Sequence, residues 1–199
     1  LLDGVPLFNT SHLFGFFTGF NADMVQDLSL YKGGIPSMYG GRASSVLDVR
    51  VKEGNFVKWS LQGGVGPISS RLLIDGPLVK GKTSLILGAR GSLSDFYLGY
   101  FPNPALQKSK ADFYDVNFKL THRIGENQRI SLSGYISHDG FKFASDTLYS
   151  WQTKTLSFQH HALWKNWSHH FTAFASDYSY GIDGLKSGYE FTWRPSISQ

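Results

Sequence analysis

The chain has no cysteine, only two methionines, and few charges for its 199 residues. Asp, Glu, Lys and Arg together make up 17%, against about a quarter in an average soluble domain. The missing cysteines exclude a disulfide scaffold and any thiolate metal centre. Low charge excludes a charged coiled coil, and 41% hydrophobic with 16% aromatic residues excludes a disordered chain. No window approaches 18 uninterrupted apolar residues, so no helix spans a bilayer. The oiliest stretch, Leu13 to Phe20, is short and broken by Gly15, Thr18 and Gly19. The net charge of +4 is mild and its Lys and Arg are scattered, which speaks against nucleic acid as a partner. Leu1 opens the chain with neither Met nor a basic-then-apolar leader, so a segment of a longer polypeptide is expected, its targeting sequence upstream.

What the chain does have is alternation. Up to about residue 53 the texture is mixed, with short apolar runs and glycine clusters. From Gly54 onward long stretches alternate with period two, the signature of strands with one apolar and one polar face. Tyr114, Val116, Phe118 and Leu120 interleave with Asp115, Asn117, Lys119 and Thr121. Ile130, Leu132, Gly134 and Ile136 interleave with Ser131, Ser133, Tyr135 and Ser137. The pattern predicts eight antiparallel strands, near 56–65, 69–75, 83–92, 111–124, 129–139, 151–165, 168–180 and 187–194. A two-residue turn at Asn166-Trp167 would pair Trp164 with His169 and Phe158 with Ala175. Tight turns near 76–82, 125–128 and 166–167 alternate with longer loops near 93–110 and 140–150, as in outer-membrane barrels.

Alternation alone leaves open whether the apolar face meets a protein core or lipid, because a soluble sandwich also reads apolar-in and polar-out. Strand length favours lipid. Ten residues at about 3.4 Å, tilted by about 40°, climb roughly 26 Å, near the apolar band of membrane barrels. Aromatics gather at the expected strand ends, as with Tyr114, Trp151, Trp164 and Trp193, where interfacial girdles belong.

Motifs for chemistry are weak. Gly76-Pro77-Leu78-Val79-Lys80-Gly81-Lys82-Thr83 has the Walker A spacing, but the residues that follow suit a strand rather than the helix a P-loop requires. The doublets His160-His161 and His169-His170 place neighbours on opposite faces, so neither chelates an ion alone; His161 and His170 share a face. No nucleophile elbow or paired-carboxylate site stands out. The expectation is a protein that is not an enzyme, with no catalytic residues, no metal and no cofactor.

A family resemblance emerges in the first 54 residues. Leu2-Asp3-Gly4-Val5-Pro6-Leu7, then Leu30-Tyr31-Lys32-Gly33-Gly34-Ile35-Pro36, then Tyr39-Gly40-Gly41-Arg42 resemble the plug of TonB-dependent outer-membrane receptors of the Bacteroidetes type. The match extends into Gly64-Val65-Gly66-Pro67 and Asp75-Gly76-Pro77-Leu78, which resemble the first barrel hairpin of that branch. Motifs cover roughly residues 1–92; the rest agrees only in barrel patterning.

The resemblance implies a mainly β fold, part of a large antiparallel transmembrane β-barrel with a partial α+β plug inside. Residues 1–54 would be the C-terminal part of the plug and 55–199 the first eight or so strands of the wall. Eight strands closed alone leave no room for a plug, so more wall is expected. The implied function is TonB-dependent import of a scarce solute across the bacterial outer membrane. Implied partners are membrane lipid, an inner-membrane TonB-type energy-transducing complex, the solute and a surface lipoprotein. His12, Phe14, Phe16 and Phe17 would lie towards the outer mouth and touch the solute; Arg42 would latch plug to wall through its forked donors. Gly33, Gly34, Gly40 and Gly41 would permit positive φ. The alternative from another class is a secreted or surface-exposed soluble β-protein that binds glycans through aromatics.

Overall fold

The computed structural model describes residues 1–41, 44–144 and 147–184, with the backbone of 196–198. The N-terminal region holds two small antiparallel pairs: β1 (Ser11–His12) with β2 (Phe17–Thr18), and β3 (Val25–Tyr31) with β4 (Val46–Val51). Leu2 adds a parallel bridge to Val49 at the free edge of β4. The rest is built on one antiparallel sheet in sequence order: β5 (Ser60–Val65), β6 (Ser69–Val79), β7 (Thr83–Ser92), β8 (Lys110–Ile124), β9 (Gln128–Lys142), β10 (Thr147–Trp164) and β11 (Trp167–Gly184), with two short helices, Ser94–Leu98 and Pro104–Gln107, in the loop between β7 and β8. A short β12 (Ser196–Ser198) continues it beyond β11. The expected strand at 187–194 lies outside the described residues.

Three strand expectations need correction. β5 starts at Ser60 rather than at residue 56, because the Asn55 side chain accepts hydrogen bonds from the backbone N–H groups of Val57 and Lys58 and holds a turn there. The last long hairpin turns at Lys165-Asn166, with Lys165 at φ +48°, so Trp164 pairs with Trp167 and Phe158 with Ala173. That register is two residues from the expected one, so every side chain keeps its face. The loop after β9 shrinks to residues 143–146, since β9 and β10 both run further than expected. At the Walker-like stretch β6 continues to Val79, Gly81 turns at φ +73° and β7 begins at Thr83, so a strand follows where a P-loop needs a helix.

Burial across the sheet is inverted relative to a soluble sandwich. Asp115, Asn117, Lys119 and Thr121 on β8 are buried, as are Ser131, Ser137 and Asp139 on β9. On the opposite face Leu72, Tyr114, Leu132, Ile136, Leu156 and Phe158 are exposed. What covers the polar face is the N-terminal region. Residues 1–53 meet that same face on β6 through β11, from Arg71 to Tyr178, and share with it a small apolar core of Leu2, Met24, Val49, Val51, Leu73, Ile86 and Tyr135. Gly88 is the close approach that permits this, since a Cβ there would run into the Met24 side chain. Trp151 corrects the girdle expectation: it pairs across from Tyr180 and Asp139 on the covered face, whereas Tyr114 and Trp164 are exposed on the other. Trp193 lies outside the described residues.

Candidate functional site

Contacts between the N-terminal region and the sheet fall into three tiers along the strands. At the end that carries the turns, Glu53 reaches Arg129 at 3.0 Å and Arg123 at 3.7 Å. In the middle, the tight Asp3-Gly4 turn (φ +48° and +80°) points the Asp3 carboxylate at Lys119, 3.0 Å away. The same carboxylate accepts from the Val51 N–H at 2.9 Å and from the Ser133 hydroxyl at 3.3 Å, while Gln159 donates to the Asp3 carbonyl at 2.7 Å.

At the end that carries the loops sits a buried charge cluster. His12 is 1% exposed. Its Nδ1 lies 2.9 Å from Asp139 Oδ2, and its Nε2 lies 3.4 Å from Asp115 Oδ2, an ion-pair distance without hydrogen-bond alignment. The Leu13 N–H and the Asn9 amide also donate to Asp139. Arg90 binds Asp115 at 2.7 Å and donates to the Thr18 carbonyl at 2.6 Å. The Tyr135 hydroxyl donates to the Gly19 carbonyl. The His12 ring stacks on Phe113 at 4.6 Å. Burial by itself pulls the His12 pKa down, but Asp115 and Asp139 outweigh it and the net shift is upward.

The four N-terminal residues expected at a mouth separate into two pairs. Phe14 is 62% exposed and stands edge-on to Phe141 at 4.7 Å and to Trp151 at 5.3 Å. Phe16 is 84% exposed. Phe17 instead packs on Phe113 at 5.1 Å, and His12 is held by carboxylates, so both face the sheet rather than an opening. Arg42 lies outside the described residues. Of the four glycines expected at positive φ, Gly34 and Gly41 adopt it and Gly33 and Gly40 do not. The ion pairs that tie the two parts together, made by Asp3, Glu53, Lys119, Asp115, Asp139 and Arg90, were not expected from sequence. For Arg90, Asp115, Lys119 and Asp139 a signal was there, ionisable side chains within long alternating strands; Asp3 and Glu53 lie outside any strand and carried none.

On the turn side a cavity of about 600 Å³ opens between Tyr39, Asp48 and Arg50 on one wall and Arg129, His161 and His170 on the other. Tyr39 donates to Asp48 at 2.9 Å; burial, then that carboxylate, push its phenol pKa up to about 12. His161 and His170 pair directly across β10 and β11 with ring centroids 6.1 Å apart. Arg50 and Arg129 stand within electrostatic reach of that pair and repel a cation. Among the described residues, no group of three or more His, Asp or Glu is placed to hold a metal, and no helix is long and apolar enough to cross a membrane. No family model, curated protein or solved structure matches the chain.

Proposed function

We propose that this chain belongs to an active importer of the bacterial outer membrane, with residues 55–199 forming the first strands of a β-barrel wall and residues 1–54 the later part of a plug inside it. The observation that carries this reading is the inverted sheet: its oily face is exposed and its charged face is buried under the N-terminal region. In water this oily face would stand open to solvent, the mark of an interaction surface, whereas in lipid its exposure is the stable choice. Strands of 15 and 18 residues supply the height and project beyond the apolar band.

A polar plug-to-wall interface also suits a part that must move. Charge-assisted contacts broken in a water-filled lumen are replaced by contacts with water, so each costs only about 0.5–3 kcal/mol to exchange. A scarce solute would bind at the loop end, where Phe14 and Phe16 are exposed. An inner-membrane energy-transducing complex of the TonB type would then rearrange the plug, and a surface lipoprotein is a further partner. The chain makes no bonds in this reading and uses no cofactor.

The test is fractionation joined to uptake. The protein should sit in the outer membrane and leave it only with detergent, and growth on its scarce solute should stop when the inner membrane is de-energised. Extraction into buffer alone would favour the soluble glycan-binding alternative, for which the exposed Phe14 and Phe16 are the relevant feature.

A further inference from the structure

Three features of the loop-end cluster bear on how the N-terminal region is held. First, its charges balance only when His12 is protonated. His12 and Arg90 then offset Asp115 and Asp139; a neutral imidazole leaves one buried carboxylate uncompensated. Second, both ring nitrogens of His12 face carboxylate oxygens. A neutral ring has one N–H, so with Nδ1–H directed to Asp139 the Nε2 lone pair would point at Asp115 across 3.4 Å. Third, every partner of His12 comes from a different element than His12 itself: Asp115 from β8, Asp139 from β9, and Arg90 from β7 through Asp115. The phenols of Tyr135 and Tyr178 also stand within electrostatic reach of the cluster.

We infer that His12 is a proton-dependent latch, closed when its imidazolium bridges Asp115 and Asp139 and released at the loop end of the sheet when it gives up that proton. The inference rests on residues 1–54 acting as a plug, and it adds what controls the outer side of that plug. The sign follows from linkage. His12 binds its proton more tightly in place than when free, so the contact is fully present below the ordinary imidazole range and is lost as pH rises through the raised value. The segment from Asn9 to Gly19 loosens towards alkaline pH, while the Asp3–Lys119 and Glu53–Arg129 contacts keep the rest seated.

The absence of cysteine permits a direct test on the full chain in detergent or bilayers. Spin labels at Phe16→Cys and Leu156→Cys, both exposed sites, report the distance between the segment and the outer face of the sheet. One narrow distribution at about pH 6 should broaden and lengthen at about pH 9. His12→Gln on the same labelled background should give the broad distribution at both values, and His122→Gln should behave as the parent. A parent distribution unchanged with pH, or a pH response that survives His12→Gln, overturns the latch. Failure of the importer reading would appear elsewhere, in a protein that leaves the membrane without detergent.

Discussion

Lys119 reaches from the middle of β8 to two groups at once: its ammonium lies 3.0 Å from Asp3 Oδ2 and donates to the Val51 carbonyl at 3.0 Å. Asp3 in turn accepts from the Val51 N–H, so three residues far apart in sequence close a buried ring. Lys119→Met leaves the Asp3 carboxylate buried without its cation. The expected cost is about 3–5 kcal/mol, the range for breaking one side of a buried pair. Thermal unfolding in detergent should show it, and Asp3→Asn added to Lys119→Met should recover part of the loss. Equal stability of Lys119→Met and the parent would mean that this tier contributes nothing.

Gly54 and Gly33 make a controlled pair. Where the chain passes from the N-terminal region to the sheet, a Cβ on Gly54 would lie inside the Leu85 backbone, which cannot swing aside. Gly33 has nothing within 4 Å and an ordinary φ. Gly54→Ala should therefore lose about 1–3 kcal/mol or more, and Gly33→Ala should stay within about 0.5 kcal/mol of the parent. Both are read from the same unfolding curves.

Alkaline titration should locate Tyr39. Its phenol is buried against Asp48 and holds its proton up to about 12, above the ordinary 10.0. An acid with a raised folded pKa stabilises the fold below the unfolded value and stops doing so as pH climbs through the folded one. Packing of Tyr39 beside Tyr31 should loosen from about pH 10 upward. In the tyrosinate absorbance of Tyr39→Phe, the amplitude that titrates near pH 12 should fall by one tyrosine relative to the parent.

Phe16 and Phe17 are neighbours with opposite duties. Truncating Phe16, 84% exposed, should leave stability within about 0.5 kcal/mol. Truncating Phe17 removes a ring packed on Phe113 and should cost about 1 kcal/mol or more. Melting curves of the two alanine variants decide this, and the reverse order would place Phe16 in the packed interface.

Much of the sheet was legible because its alternation has one period and few interruptions. Asp115, Asn117, Lys119 and Thr121 shared a polar face in the sequence and share a buried one in the fold. Less legible was what a local side chain does to an end. Asn55 captures two N–H groups and delays β5, and Lys165 takes a positive φ that moves the hairpin by two residues. Period two says which residues share a face but not what covers it, so Trp151 read as a girdle residue although it lies beneath Phe14. His12 was placed at the mouth by the family resemblance alone. Its burial depends on Asp115 and Asp139, more than a hundred positions away, and no local pattern encodes that pairing.

The orientation of β8 tests the account most directly. Val116 and Asn117 are successive residues on opposite faces, and single cysteines at each can carry a spin label in lipid bilayers. Relaxation by dissolved oxygen should be strong at Val116 and weak at Asn117, which lies buried under the N-terminal region. A lipid-accessible Asn117 with Val116 exposed to a water-soluble relaxer would turn the sheet inside out and contradict the account.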